Sequence, residues 1–275
     1  MKKWLWVLGV LLVALIIWII RGNRALEVNT WTVSGSKLPD AFSGFRIVQV
    51  SDLHNTEFGS DNQKLLSLLA DTDPDIIVIT GDLIDSRRTD VDIALRFAAS
   101  AMEIAPVYYV TGNHESRLET EFSQLETGLK AAGVTVLRNE SVILEQDGQQ
   151  IQLLGMDDIT FYSENAEHQF SENLKALKDD ELYTVLLSHK PNLLPLYAEA
   201  EMDLVFSGHA HGGQFRLPWI GGILAPDQGF FPKYDSGLYT MENTTMMVSR
   251  GLGNSLFPFR VNNPPEIVVV QLTSP

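Results

Sequence analysis

Five short apolar runs in this chain each break off into polar residues of the kind that bind metal ions, and that pattern restricts the fold most. FRIVQV (45–50) runs into SDLH, DIIVIT (75–80) into GDLID, and VYYV (107–110) into TGNHE. YTVLL (183–187) runs into SHKP, and DLVF (203–206) into SGHAHGG. Runs this short, apolar on both faces, read as fully buried strands. Helical patterns lie between the first of them, in DNQKLLSLLADT and VDIALRFAASAMEI. Strands alternating with helices imply βαβ units and a largely parallel sheet, hence an α/β fold.

Other segments add strands of a different character. ALEVNTWTVSG alternates in strand fashion, and VTVLRNESVILEQDGQQIQLLGMDD holds two strand-like runs around a DGQQ turn. GLYTMENTTMMVSRG and EIVVVQL add more strand near the C-terminus, so a meander or second sheet is expected. No linker is evident after position 40, and no internal repeat.

Positions 4–20, WLWVLGVLLVALIIWII, are unbroken apolar residues between Lys2–Lys3 and Arg21 and Arg24. As a helix they span roughly 26 Å at ~1.5 Å per residue, enough for a thin hydrocarbon core. Tryptophans stand at both ends, and RGNRALE is a poor cleavage sequence, so an uncleaved single-pass anchor is favoured over a cleaved signal peptide. The expected division is residues 1–24 as membrane anchor and 25–275 as one catalytic domain. The short N-terminal flank favours an extracytoplasmic body. The net charge of −15 includes the cations Lys2, Lys3, Arg21 and Arg24 of the anchor, and every acidic residue follows position 26, so the body is more acidic still and such a surface disfavours nucleic acid as a partner. With no cysteine in the chain, disulfides, thiolate metal sites and cysteine nucleophiles are all excluded.

Of six histidines, His54, His114, His189, His209 and His211 sit just past buried runs, whereas His168 lies in a polar stretch and reads as solvated. In open α/β sheets ligands bind beyond the carboxyl ends of strands, where residues from separate strands converge. Asp52 with His54, and His209 with His211, are two apart, which in extended backbone points both side chains one way. Asp82 follows Gly81, and Asn113 and His114 follow Gly112, glycines suited to tight turns. Singly, Asp82 and Asn113 pass for turn residues and His189 for a loop histidine. Together they form a carboxylate, amide and imidazole set suited to Mn²⁺, Fe or Zn²⁺, with more ligands than one ion takes.

The motifs Asp52-Leu53-His54, Gly81-Asp82, Gly112-Asn113-His114-Glu115, His189 and Gly208-His209-Ala210-His211, in that order, resemble the calcineurin-like metallophosphoesterases. The likeness spans about residues 45–272. IGGILAPDQGFFPKYDSGLY and GLGNSLFPFRVNNPPEIVVV further resemble the membrane-associated bacterial branch typified by YkuE and YaeI. Protein Ser/Thr phosphatases fit less well: Asn55 stands where they carry glycine, and Ser86 where they carry arginine.

The resemblance implies a four-layer αββα sandwich with two divalent ions, Mn²⁺ first, Fe or Zn²⁺ next. Asp52, His54, Asp82 and His211 would hold one ion, and Asp82, Asn113, His189 and His209 the other, with Asp82 bridging. His114 would face the substrate as acid or oxyanion stabiliser. The activity implied is phosphoester hydrolysis by a two-metal-activated hydroxide. Arg87 and Arg88 are candidates for a phosphate clamp. The loop carrying Trp219, Ile220, Phe230 and Phe231 reads either as packed loop or as a lip admitting acyl chains. Anchor and lip point to a lipid-linked or cell-envelope diester or pyrophosphate. Phosphomonoesterase action on proteins or small molecules, and a non-catalytic metal-binding scaffold, are the competing readings.

Overall fold

The computed structural model describes residues 2–254 and 257–274; Ser255 and Leu256, inside the closing GLGNSLFPFRV stretch, lie outside them. Two six-stranded sheets stack face to face. The first has the order β1 (Glu27–Ser34), β16 (Glu266–Thr273), β2 (Arg46–Val50), β3 (Ile76–Thr80), β4 (Val107–Val110) and β5 (Thr135–Val136). β2 to β5 are mutually parallel, and β16 runs antiparallel to β2. The second has β14 (Gly237–Met241), β15 (Thr244–Val248), β9 (Leu204–Ser207), β8 (Tyr183–Leu187), β7 (Gln149–Gly155) and β6 (Glu140–Gln146). Here β15, β9, β8 and β7 are parallel, and hairpins close both edges.

Helices α2 (Gln63–Asp71), α3 (Val91–Met102) and α4 (Glu119–Ala131) cover the first sheet, and α5 (Ala166–Leu177) and α6 (Leu194–Glu199) the second. Strand periodicity creates this layering, because successive side chains point to opposite faces. In β3, Ile76 and Val78 enter the core between the sheets, while Ile77 and Ile79 enter the core under α2–α4. In β9, Leu204 and Phe206 face the first sheet and Val205 faces α5 and α6. The DGQQ turn closes the β6–β7 hairpin with Asp147 and Gly148 both at positive φ, as a tight hairpin turn requires. The chain is thus the expected αββα sandwich.

Two short ribbons extend from the carboxyl end of β9. One pairs β10 (Arg216–Leu217) with β11 (Gly221–Gly222), the other β12 (Leu224–Ala225) with β13 (Gly229–Phe230). Helix α1 (Lys2–Gly22) stands apart from these layers, its apolar side chains unburied. By length and composition it can cross a membrane.

Candidate metal centre

The carboxyl ends of strands from both sheets meet at one place. β2, β3 and β4 deliver Asp52 and His54, Asp82, and Asn113 with His114; β8 and β9 deliver His189, and His209 with His211. All eight residues are buried. Gln49 ties the sheets together beneath them, donating from Nε2 to Thr80 Oγ1 (2.8 Å) and to the Ser207 carbonyl (2.9 Å).

Asp82 Oδ2 is the hub. It lies 3.3 Å from His189 Nε2, 3.6 Å from His54 Nε2 and 3.9 Å from His114 Nε2. His211 Nε2 lies 3.4 Å from Asp52 Oδ1 and 3.3 Å from His54 Nε2. Candidate donor atoms group, each set within 4.8 Å, as Asp52, His54 and His211, as Asp82, His189 and His209, and as His54, Asp82 and His114, the last set sharing one residue with each of the others. Buried Asn113 Oδ1 and His189 Nε2 have no hydrogen-bond partner among the described residues. Buried polar atoms are seldom left so, and a cation is a partner that both accept. The residues present fit a pair of divalent ions.

The expectation that Asp52 and His54 converge through extended backbone is not met. Asp52 (φ 53°), His54 (46°), Asp82 (51°), His209 (64°) and His211 (48°) all adopt left-handed conformations. The two-apart pairs point inward because left-handed residues alternate with ordinary ones in tight turns. Such conformations cost on the order of 1–3 kcal/mol each in non-glycine residues and cluster at functional sites. Asn55 (φ 56°) continues the turn in the left-handed region that asparagine enters more readily than most residues.

Two glycines serve close approach. A Cβ on Gly112 would overlap the Asp82 carboxylate, and one on Gly208 would overlap Ser51 Oγ and Asp52 Oδ2. Asp52 is held there by Ser51 Oγ–H (2.6 Å) and by the His209 N–H (3.1 Å). Gly208→Ala is expected to lower stability by about 1–3 kcal/mol and to weaken metal retention, read by denaturant melts and metal analysis; retention of both would refute the packing argument.

Charge is organised to suit. Burial holds His54 neutral down to about 3, and burial with the Arg260 guanidinium holds His211 well below its ordinary value. Neutral imidazoles are the form that binds metal. Burial opposes charge on His189, but the Asp82 carboxylate outweighs it and raises that ring to about 10. With Nδ1–H donating to the Thr80 carbonyl (2.7 Å), Nε2 faces Asp82 and carries the proton that an ion bound there would displace.

His114 is wired differently. The Ser86 backbone N–H donates to His114 Nδ1 (3.0 Å), so in the neutral ring the proton sits on Nε2. Burial lowers its pKa, keeping it neutral near pH 7. An Nε2–H group donates a hydrogen bond and does not ligate. Glu115, next in sequence, accepts four backbone N–H bonds: from Asp82 (3.0 Å), Leu83 (2.8 Å), Ile84 (3.2 Å) and Gly112 (2.8 Å). It pins the β3 and β4 loops to each other. Glu115→Gln turns an amide NH₂ towards those donors and is expected to cost about 2–4 kcal/mol, measured by chemical denaturation; an unchanged midpoint would show the clasp to be dispensable.

The centre opens into a cavity of about 440 Å³, lined additionally by Arg87, Arg117, Thr160, Lys190, Pro226 and Asp227. Arg87 of the candidate clamp lines it; Arg88 is not among the lining residues. His168 is exposed on α5. Several neighbours have no conspicuous sequence signal. Asp85 Oδ2 stands 3.6 Å from His54 Nδ1, a position that GDLID allows by spacing. Asp227, at the β12–β13 tip, contacts His209 Nε2 (3.1 Å) and Lys190 Nζ (2.6 Å). Fully buried Arg260 approaches His211 Nδ1 (3.4 Å).

Comparison with known proteins adds extent to this geometry. The family model for calcineurin-like phosphoesterases matches residues 45–213. Metallophosphoesterase YkuE of Bacillus subtilis is 32% identical over 256 residues, covering 90% of this chain and 86% of that protein. Phosphodiesterase YaeI of Escherichia coli is 30% identical over 248 residues, 85% of this chain and 84% of that protein. TT1561 of Thermus thermophilus shares the fold at a TM-score of 0.52 and 14% identity, covering 76% of this chain and 90% of that one. With most of the sequence aligned and the metal-ligating residue types gathered where the strand ends of both sheets meet, the chain belongs to the calcineurin-like phosphoesterase family of binuclear metal-dependent phosphoester hydrolases.

Proposed function

We propose that the chain hydrolyses a phosphodiester or pyrophosphate presented at a membrane, at a centre holding Mn²⁺ or, failing it, Fe or Zn²⁺. The observation that carries the reading is Asp82 Oδ2, set between the two donor groups where one carboxylate can serve both ions. Asp52, His54, Asp82 and His211 would hold one ion, and Asp82, Asn113, His189 and His209 the other. Bound there, the ions supply Lewis acidity that lowers the pKa of a water towards ~7 and neutralises charge on phosphoryl oxygens.

The chain's own groups do the rest. Arg87 and Arg117 line the cavity and orient an anionic substrate by charge-assisted hydrogen bonds. His114 presents Nε2–H to the leaving oxygen. Complete transfer of that proton would leave an imidazolate, so its role is hydrogen-bond stabilisation of the departing oxyanion. Glycine at 112 and 208 lets the carboxylates approach without a Cβ between them.

Residues 1–24 act as anchor and 25–275 as the catalytic body, extracytoplasmic in this reading. A second reading, phosphomonoester hydrolysis, is favoured by the two arginines, which suit a dianion. Metal analysis of the purified full-length chain, with rates on matched monoesters, diesters and diphosphates, separates them. A protein that holds divalent metal yet cleaves none of these would leave the scaffold reading, and one that holds none would sink all three.

A further inference from the structure

Four large apolar side chains stand out of the body beside the cavity. Trp219 is fully exposed, Phe230 is 73% exposed, Phe231 64% and Ile220 60%. They belong to the two ribbons after β9, and the tip of the second, Pro226 and Asp227, lines the cavity itself. Trp219 (φ 64°) and Phe231 (φ 55°) are bulky residues in left-handed backbone. A conformation so disfavoured for bulky residues marks a constrained, functional position more than idle loop. Here it keeps two rings in solvent.

The foot of α1 is tied to the same face. Asn23 Oδ1 accepts the Arg260 N–H (2.7 Å), and Asn23 Nδ2 donates to the Arg260 carbonyl (2.9 Å). Arg260 reaches His211 of the centre, and Trp18, Ile19 and Gly22 line a cleft with Arg260 and Asn262. Val261 accepts the Arg216 N–H (3.0 Å) of the first ribbon. Trp219 lies three positions beyond Arg216, at most about 10 Å along the chain. The foot of the apolar helix, the centre and the first ribbon are thus linked through Arg260, Val261 and Arg216. The body's negative charge gives no attraction to anionic headgroups, which leaves the apolar rings to make the contact.

We propose that the two ribbons form a bilayer-docking crest that enters the leaflet in which α1 ends, and that a phosphoester with an apolar tail reaches the cavity from that leaflet. This rests on the anchor and hydrolase readings above. The cysteine-free chain permits a direct test with single spin labels and no background. Leu11→Cys, Trp219→Cys, Phe231→Cys and, on exposed α5, Glu172→Cys are labelled in the full-length protein in phosphatidylcholine nanodiscs.

Labels at 219 and 231 are expected to be open to oxygen and shielded from an aqueous nickel chelate, as at 11, with 172 showing the reverse. Labels at 219 and 231 behaving like 172, with 11 still buried in lipid, would overturn the crest and leave the anchor standing. In a second arm, Trp219→Asp combined with Phe231→Asp is expected to lower the ratio of turnover on a nanodisc-borne lipid phosphodiester to that on bis-p-nitrophenyl phosphate by about tenfold or more. Inserted labels with an unchanged ratio would overturn delivery from the leaflet while upholding the crest.

Discussion

Asp82→Asn is expected to lower phosphoester hydrolysis by on the order of 10³–10⁴-fold and to remove at least one of two bound ions. The asparagine keeps the shape and the Oδ1 acceptor that receives the His114 N–H (2.8 Å), so the loop fold is spared. What it removes is the charge on Oδ2, the atom nearest to His189 and 3.6 Å from His54. Both donor sets lose their shared anion together. Metal analysis and single-turnover hydrolysis on the same preparation check the result. Two ions retained at full occupancy with near-normal turnover would refute the bridging role.

His114→Ala is expected to cost about 10²–10³-fold on diesters with alkoxide leaving groups, and clearly less when the leaving group is p-nitrophenolate. The asymmetry follows from the tautomer. Ser86 N–H occupies Nδ1, the ring is neutral, and Nε2–H is the donor left to face the cavity. A departing alkoxide needs that donor far more than a phenolate that already disperses its charge. Rates across leaving groups of graded basicity read the effect as a slope. An equal loss for every leaving group, or lost metal, would make His114 a ligand instead.

Much of this centre can be read from the sequence because it is assembled from strand ends. Buried strands are legible as apolar runs, and a parallel sheet places their carboxyl ends side by side, so residues following five runs meet without long loops. Backbone conformation was not legible: aspartate and histidine enter the left-handed region more often than most residues, yet the great majority of them do not, so Asp-Leu-His alone does not announce it. Ser86 is a similar case. Its backbone N–H sets the His114 tautomer, and a backbone contact leaves no trace in residue type. Asp227 and Arg260 reach the centre from segments 16 and 49 residues beyond His211, distances over which spacing carries no information. Glu115 stands inside a recognisable motif, yet its clasp on four N–H groups appears only when the β3 and β4 loops are adjacent.

The centre draws Asp52, His54, Asp82 and Asn113 from one sheet and His189, His209 and His211 from the other. An ion pair held there would work as a rivet through the sandwich as well as a reagent. Ligands that bind only the folded state add to its stability in proportion to RT ln(1 + [L]/Kd), so the supply of free metal would set how much protein stands assembled. Scarcity would then be felt twice, as slower turnover per molecule and as fewer molecules surviving proteolysis. Abundance of the chain would follow metal status even at constant synthesis.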